Sequence, residues 1–146
     1  MAFTNAPAAK AALLTLIQAR PNLAGVQMSA GHPGDNIDVN ETIFTDSIVA
    51  TQDWETMGGS TRRRREDFTI ELIVIAGKAG VDQAGAEARA WVLLEECELA
   101  VRADVTLAAT VIFAGITSMK QTNGKGSQGW VSQIVAEVTC RAQVHD

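Results

Sequence analysis

Two segments of this chain alternate apolar and polar side chains with a period of two, and that periodicity constrains the fold more than anything else in it. In RRRREDFTIELIVIAG, Phe68, Ile70, Leu72, Val74 and Ala76 occupy alternate positions and so share one face of a strand. The segment WVSQIVAEVTCRAQV repeats the pattern with Trp130, Ile134, Ala136, Val138, Cys140, Ala142 and Val144. Gln133, Glu137, Thr139, Arg141 and Gln143 lie opposite them, on a wettable face. Most period-setting residues are thereby committed to packing, and few remain for chemistry.

Between the two strands lies a helix pattern. Asp82 stands at its cap position, and Ala86, Ala90, Leu93, Leu94, Cys97 and Val101 recur at spacings of three and four, predicting one buried stripe as far as about Ala103. Glu87, Glu95, Glu98 and Arg102 mark the wet side, with Glu98 and Arg102 in the favourable i,i+4 order. A first helix starts at Asn5-Ala6-Pro7, with Asn5 as the capping side chain, carries Leu13, Leu16 and Ile17, and stops before Pro21. Val26, Met28 and Ala30 alternate in a short strand, and Gly31 to Asp35 reads as a turn. Glu41 to Met57 forms one bent strand or two, a further strand lies near Val111–Gln121, and Thr122–Gly129 is a glycine-rich hairpin tip.

The expected architecture is therefore α+β, in the order α-β-β(-β)-β-α-β-β, with two helices packed on an antiparallel or mixed sheet. With no linker, repeat or low-complexity tract, residues 1–146 read as one domain. A chain of this length buries roughly 68–70% of its unfolded surface.

Composition narrows the function classes. A net charge of −5 argues against binding polyanions through bulk electrostatics, so any nucleic-acid contact has to be local. Cys97 and Cys140 fall on apolar faces, which suits buried reduced thiols and a cytoplasmic origin better than a disulfide scaffold. No apolar run approaches the roughly 18–20 residues that span a bilayer. The run from Ala11 to Ile17 lacks the basic leader and cleavage pattern of a secretory signal.

Candidate sites are few. The run Arg62, Arg63, Arg64, Arg65 can remain solvated beside Glu66 and Asp67, dock an acidic partner, or clamp phosphates. Alternation sends Arg62 and Arg64 to one face and Arg63 and Arg65 to the other. Trp54, flanked by Asp53 and Glu55, is a candidate exposed anchor at an interface. Trp91 sits at the margin of the helix stripe, as core or subunit contact, and Trp130 begins an inward-facing series. Asn123 and Lys125 lie in the glycine-rich segment, which fails the phosphate-loop spacing because Met119 stands where that motif needs glycine. Asp35, Asp38, Asn40 and Glu41 cluster like hard-cation ligands, yet Ile43 occupies the position a calcium loop gives to glycine. His32 and His145 have no nucleophile or zinc-type spacing around them. No catalytic residue, metal or cofactor is expected.

The layout as a whole resembles the tail terminator proteins of long-tailed, lambda-like bacteriophages. The likeness covers roughly Pro7 to Val144 and rests on the order and texture of the N-terminal helix, RREDFTIELIVIAG, AEARAWVLLEECELAVRAD and the C-terminal hairpin. It implies a non-enzymatic virion protein, assembled in the cytoplasm of a bacterial host, whose hexameric ring caps the tail tube and halts its polymerisation. The implied partners are further copies of the chain, the major tail tube protein and the head–tail connector (stopper) protein, with DNA passing through the lumen and no membrane involved. A neighbouring connector or tail completion protein, or a small nucleic-acid-binding module using Arg62–Arg65, are the alternatives. Arg62, Arg63, Arg64, Arg65 and Trp54 are expected at subunit or tube contacts, and Asn123 and Lys125 in an assembly loop. Loops at Gly31–Asn40, Met57–Arg65 and Thr122–Gly129 are candidates for ordering on assembly. Replacing all four arginines by serine is expected to leave folding intact but to weaken ring formation or tail capping.

Overall fold

The computed structural model describes residues 3–34, 41–54, 63–77, 82–126 and 129–145. Helix α1 runs from Ala6 to Gln18, followed by a 3-10 turn, Pro21–Leu23, and strands β1 (Gln27–Ala30), β2 (Glu41–Trp54) and β3 (Arg63–Gly77). Helix α2 (Gln83–Ala103) precedes the long hairpin of β4 (Phe113–Gly126) and β5 (Gly129–His145). The five strands form one mixed sheet in the order β1-β2-β3-β5-β4, in which only β1 and β2 are parallel. The α+β order expected from the periodicities is the one observed.

Both helices cover the same face. Phe68, Ile70, Leu72, Val74 and Ala76 of β3 pack with Ile134, Ala136, Val138, Cys140 and Ala142 of β5 in one core. Leu13 and Ile17 of α1 and Ala90, Leu93, Leu94, Cys97 and Val101 of α2 close that core from above. Helix α2 starts as the sequence predicts, with the Asp82 carboxylate accepting from the Gly85 N–H at 2.8 Å. Helix α1 does not. Asn5 occupies the cap position without a side-chain cap, its amide donating instead to the Thr110 carbonyl at 3.0 Å. The Thr4 hydroxyl takes the Ala6 N–H at 3.1 Å in its place.

Of the two readings of the segment that starts at Glu41, one bent strand is the one observed: Glu41–Trp54 is a single strand with a bulge between Thr45 and Ile48. Two further expectations are corrected. The segment Thr122–Gly126 is strand, with Gly126 paired to Gly129, so Asn123 and Lys125 lie on β4 and not in a loop. Antiparallel pairing to β5 supplies the hydrogen bonds that overcome the weak strand propensity of TNGKG. Trp130, expected in the core, is half-buried near that end of the hairpin.

Candidate functional site

At the end of the sheet where β2 finishes and β3 begins, polar groups are buried on the helix-covered face. Glu66 has the same parity as Phe68 and is fully buried. Its carboxylate accepts from the Asn5 N–H at 2.9 Å, from the Gln52 amide at 2.8 Å, and from the Thr4 hydroxyl. A buried carboxylate is tolerated only when donors replace its lost water, and here the chain entering α1 supplies two of the three. Arg64, one pleat further, is 6% exposed. Its guanidinium carbon lies 5.2 Å from the Phe3 ring centroid and 5.1 Å from that of Trp54, and its Nη1 donates to the Gln52 side-chain oxygen Oε1 at 3.3 Å. Beside this group Phe3, Thr4, Pro7, Ile48, Ala50 and Gln52 line a hollow of about 420 Å³.

The opposite face carries a ladder of alternating charge across three strands. Arg65 of β3 reaches Asp53 of β2 at 3.5 Å and Asp67 at 3.2 Å, and Arg141 of β5 reaches Asp67 at 2.9 Å. Arg64 and Arg65 are therefore sent to opposite faces by the pleat, as the alternation predicts for that pair. Arg64 is committed to the interior and Arg65 to neighbouring carboxylates, while Arg62 and the side chain of Arg63 lie outside the described residues. Trp54, at 48% exposed, keeps the surface position expected of it.

The sheet leaves backbone edges open on both sides. β1 pairs only with Thr42–Thr45, so the outer edge of β2 from Asp46 to Trp54 has no strand neighbour among the described residues. β4 is the other terminal strand. Exposed apolar side chains gather at these edges: Val49 on β2, Ile112, Phe113 and Met119 at β4, and Trp91 and Val92 on α2 beside it. Trp91, Leu94, Ile116 and Met119 line a second hollow of about 180 Å³, rimmed by Glu95 and Glu98. Asn123 donates to Glu87 of α2 at 2.6 Å, and Lys125 is exposed. An unpaired edge is a template for another strand, so these margins matter more than any concave pocket. The exposure of Val49 and Phe113 has no signature in the sequence, because an apolar residue on a strand reads as core until its edge position is known.

Little in the interior suits chemistry. Burial pushes both thiols up to about 12, with the Glu96 charge adding to the effect at Cys97. His32 rests edge-on against Phe44, ring centroids 5.2 Å apart, and its Nδ1 accepts from the Gly34 N–H at 2.9 Å. Glu41 pairs with Arg89 of α2, while Asp35, Asp38 and Asn40 lie outside the described residues. Among the described residues no cluster of His, Cys, Asp and Glu is placed to hold a metal ion, and no helix is long and apolar enough to cross a membrane.

No protein-family model and no curated protein matches the sequence. Among solved structures, the chain is similar to a chain of the virion of a native gene transfer agent particle. The two superpose with a TM-score of 0.52 at 14% identity, over 98% of this chain and 100% of that one. At that identity the likeness establishes a shared fold and nothing more.

Proposed function

We propose that this chain is a structural, non-enzymatic protein of a phage-like virion: a tail terminator whose copies close into a ring, six to a turn, at the head-proximal end of the tail. The ring caps the tube, stops its polymerisation and presents a surface to the head connector, with DNA passing through its lumen. The observation that carries this reading is the full-length correspondence in fold with a virion chain. Two unlike open edges on one sheet support it, because head-to-tail contacts between identical subunits give a closed ring when the rotation closes. The likeness is to a virion chain and specifies no position within the particle, so a neighbouring connector or tail completion component is the second reading. The nucleic-acid reading is weakened, since Arg64 is packed inside and Arg65 is paired with carboxylates.

Native mass spectrometry and negative-stain imaging of the purified protein, alone and with tail tubes, test the proposal. A ring that binds one end of the tube and blocks further growth is the expected result. A ring that binds the head connector but leaves tube growth unchanged favours the connector component. Protein that stays monomeric under all these conditions sinks both.

A further inference from the structure

The two edges of the sheet match each other row for row. Val49 is the Cα partner of Thr69, Thr69 of Thr139, and Thr139 of Gly115. One row thus begins at a valine that is 68% exposed and ends at a glycine. The adjacent same-face row runs Thr51–Asp67–Arg141–Phe113, and a Cβ at Gly115 would lie 3.5 Å from the Phe113 ring. That ring and the missing side chain make a notch of about one small aliphatic group at the β4 edge. A third row, Ile48–Ile70–Val138–Ile116, has a half-buried isoleucine at each end.

The edge strands also bulge in the same interval. β2 is irregular between Thr45 and Ile48, β4 between Ile116 and Ser118, and Thr45 and Met119 again share a row through Leu72 and Ala136. On one side of the bulges the edge of β2 is taken by β1, and β4 carries Lys120 and Lys125, charges of the kind that keep an edge from pairing. On the other side neither Ile48–Thr51 nor Ile112–Ile116 carries a charge, and the β2 edge stands open among the described residues.

We infer that Ile48–Thr51 of one copy pairs antiparallel with Phe113–Ile116 of a second copy of this chain, seating Val49 opposite Gly115 beside the Phe113 ring. The strand directions fit. β2 is antiparallel to β3, β3 to β5 and β5 to β4, so β4 runs opposite to β2, and a neighbour set edge to edge with the same face outward meets it antiparallel. The contact pairs open backbone groups, covers Val49, Phe113 and both edge isoleucines, and brings Ile112 towards the wall of the larger hollow formed by Ile48, Ala50 and Gln52. The occupant is a second copy because the strip and its complement lie in the same rows of this one chain. Donor and acceptor edges differ, so the contact is head-to-tail. It deepens the ring reading and rests on it for closure alone.

The test is a cysteine pair, Val49→Cys with Gly115→Cys. Gly115 has a negative φ and ordinary contact room for a side chain. Within one copy the two positions are three strand spacings apart, about 14 Å, against a disulfide reach of about 7 Å between Cα atoms. Cys97 and Cys140 are buried and do not compete. Oxidation of the concentrated double variant, with and without tail tubes, should give a ladder of multimers on a non-reducing gel. An equimolar mixture of the two single variants should stop at the dimer. A wrong-row pair, Val49→Cys with Lys120→Cys, should yield about tenfold less product. Ring-sized oligomers of the Val49→Cys, Gly115→Cys variant that fail to cross-link overturn this contact and leave the ring standing. Cross-linked open filaments without rings support the contact and overturn closure, whereas protein that stays monomeric throughout overturns both.

Discussion

Arg64 and Trp54 are Cα partners across β2 and β3, and the guanidinium lies 5.1 Å from the indole centroid on the helix-covered face. The Phe3 ring, at 5.2 Å, ties the residues ahead of α1 to the same cation. An arginine in this setting contributes its stem to packing as well as its charge to the rings. Replacing Arg62–Arg65 together by serine should therefore cost folding stability through Arg64. Arg64→Ser should cost about 2 kcal/mol by urea denaturation, and Arg64→Lys should recover only part of it. Arg65→Ser, which removes surface pairs, should cost about 0.5 kcal/mol or less.

Glu66 makes a second prediction. Removing a buried acceptor strands its donors, so Glu66→Ala should destabilise by about 3 kcal/mol. Glu66→Gln keeps the shape but turns an N–H₂ group towards donors at Thr4, Asn5 and Gln52, and should fall between wild type and alanine. Amide exchange should accelerate first at Ala9, whose N–H closes the opening turn of α1 on the Asn5 carbonyl. Uniform acceleration across α2 and β5 as well would contradict this local role.

The parts of the fold legible in the sequence were those where one face is buried and the other wet. Phe68 to Ala76, Ile134 to Val144 and the stripe from Ala86 to Val101 all carry a period that burial imposes directly. What was missed depends on partners distant in the chain. Glu66 shares its parity with Phe68, yet a carboxylate reads as solvated until Thr4, Asn5 and Gln52 are known to surround it. Thr4 displaced Asn5 as the cap because the Asn5 amide is drawn to Thr110, far along the chain. The strand character of Asn123 and Lys125 comes from register with β5 and not from their own propensities. Neither open edge has a local signature, since edge position is a property of strand order.

The turn after α2 holds three consecutive residues in the left-handed region, Leu107 (φ 46), Ala108 (φ 57) and Ala109 (φ 64), with no glycine among them. Each costs roughly 1–2 kcal/mol for an L-residue. The turn is held by Asp104, whose carboxylate accepts from the Thr106 hydroxyl at 2.6 Å and the Ala108 N–H at 2.9 Å, and by fully buried Leu107. Ala108→Gly and Ala109→Gly should each raise stability by about 0.5–1 kcal/mol, the strain relieved outweighing the entropy glycine adds to the unfolded chain. The same change at Ala90, inside α2, should lower stability. A loss at Ala108 would show that its methyl group does packing the geometry does not reveal.

Glu71 and Glu137 sit directly opposite one another on β3 and β5, on the face the helices leave open. Like charges at paired positions oppose sheet formation. Glu137→Lys converts the pair to an attractive one and should stabilise the isolated chain by about 0.5 kcal/mol, an effect that shrinks as salt is added. Thermal unfolding at two salt concentrations measures it, and a gain independent of salt would point away from charge as the cause.

Acid should destabilise the fold through two carboxylates in particular. Hydrogen bonds from Asn22 and Arg20 hold Glu96 below its ordinary value, and the Thr106 hydroxyl with the Ala108 N–H does the same for Asp104. A depressed carboxyl binds its proton more weakly in the folded chain than in the unfolded one. As pH falls the unfolded state therefore takes up more protons, and the stability these groups contribute is present above the ordinary carboxylate range and lost below it. Denaturant midpoints should hold near neutral pH and fall below about pH 4. Glu96→Gln and Asp104→Asn should each lower stability at pH 7 and flatten the acid limb, so that variant and wild type converge at the lowest pH. Parallel acid limbs, displaced by a constant amount, would mean that the two carboxylates contribute through shape and not through charge.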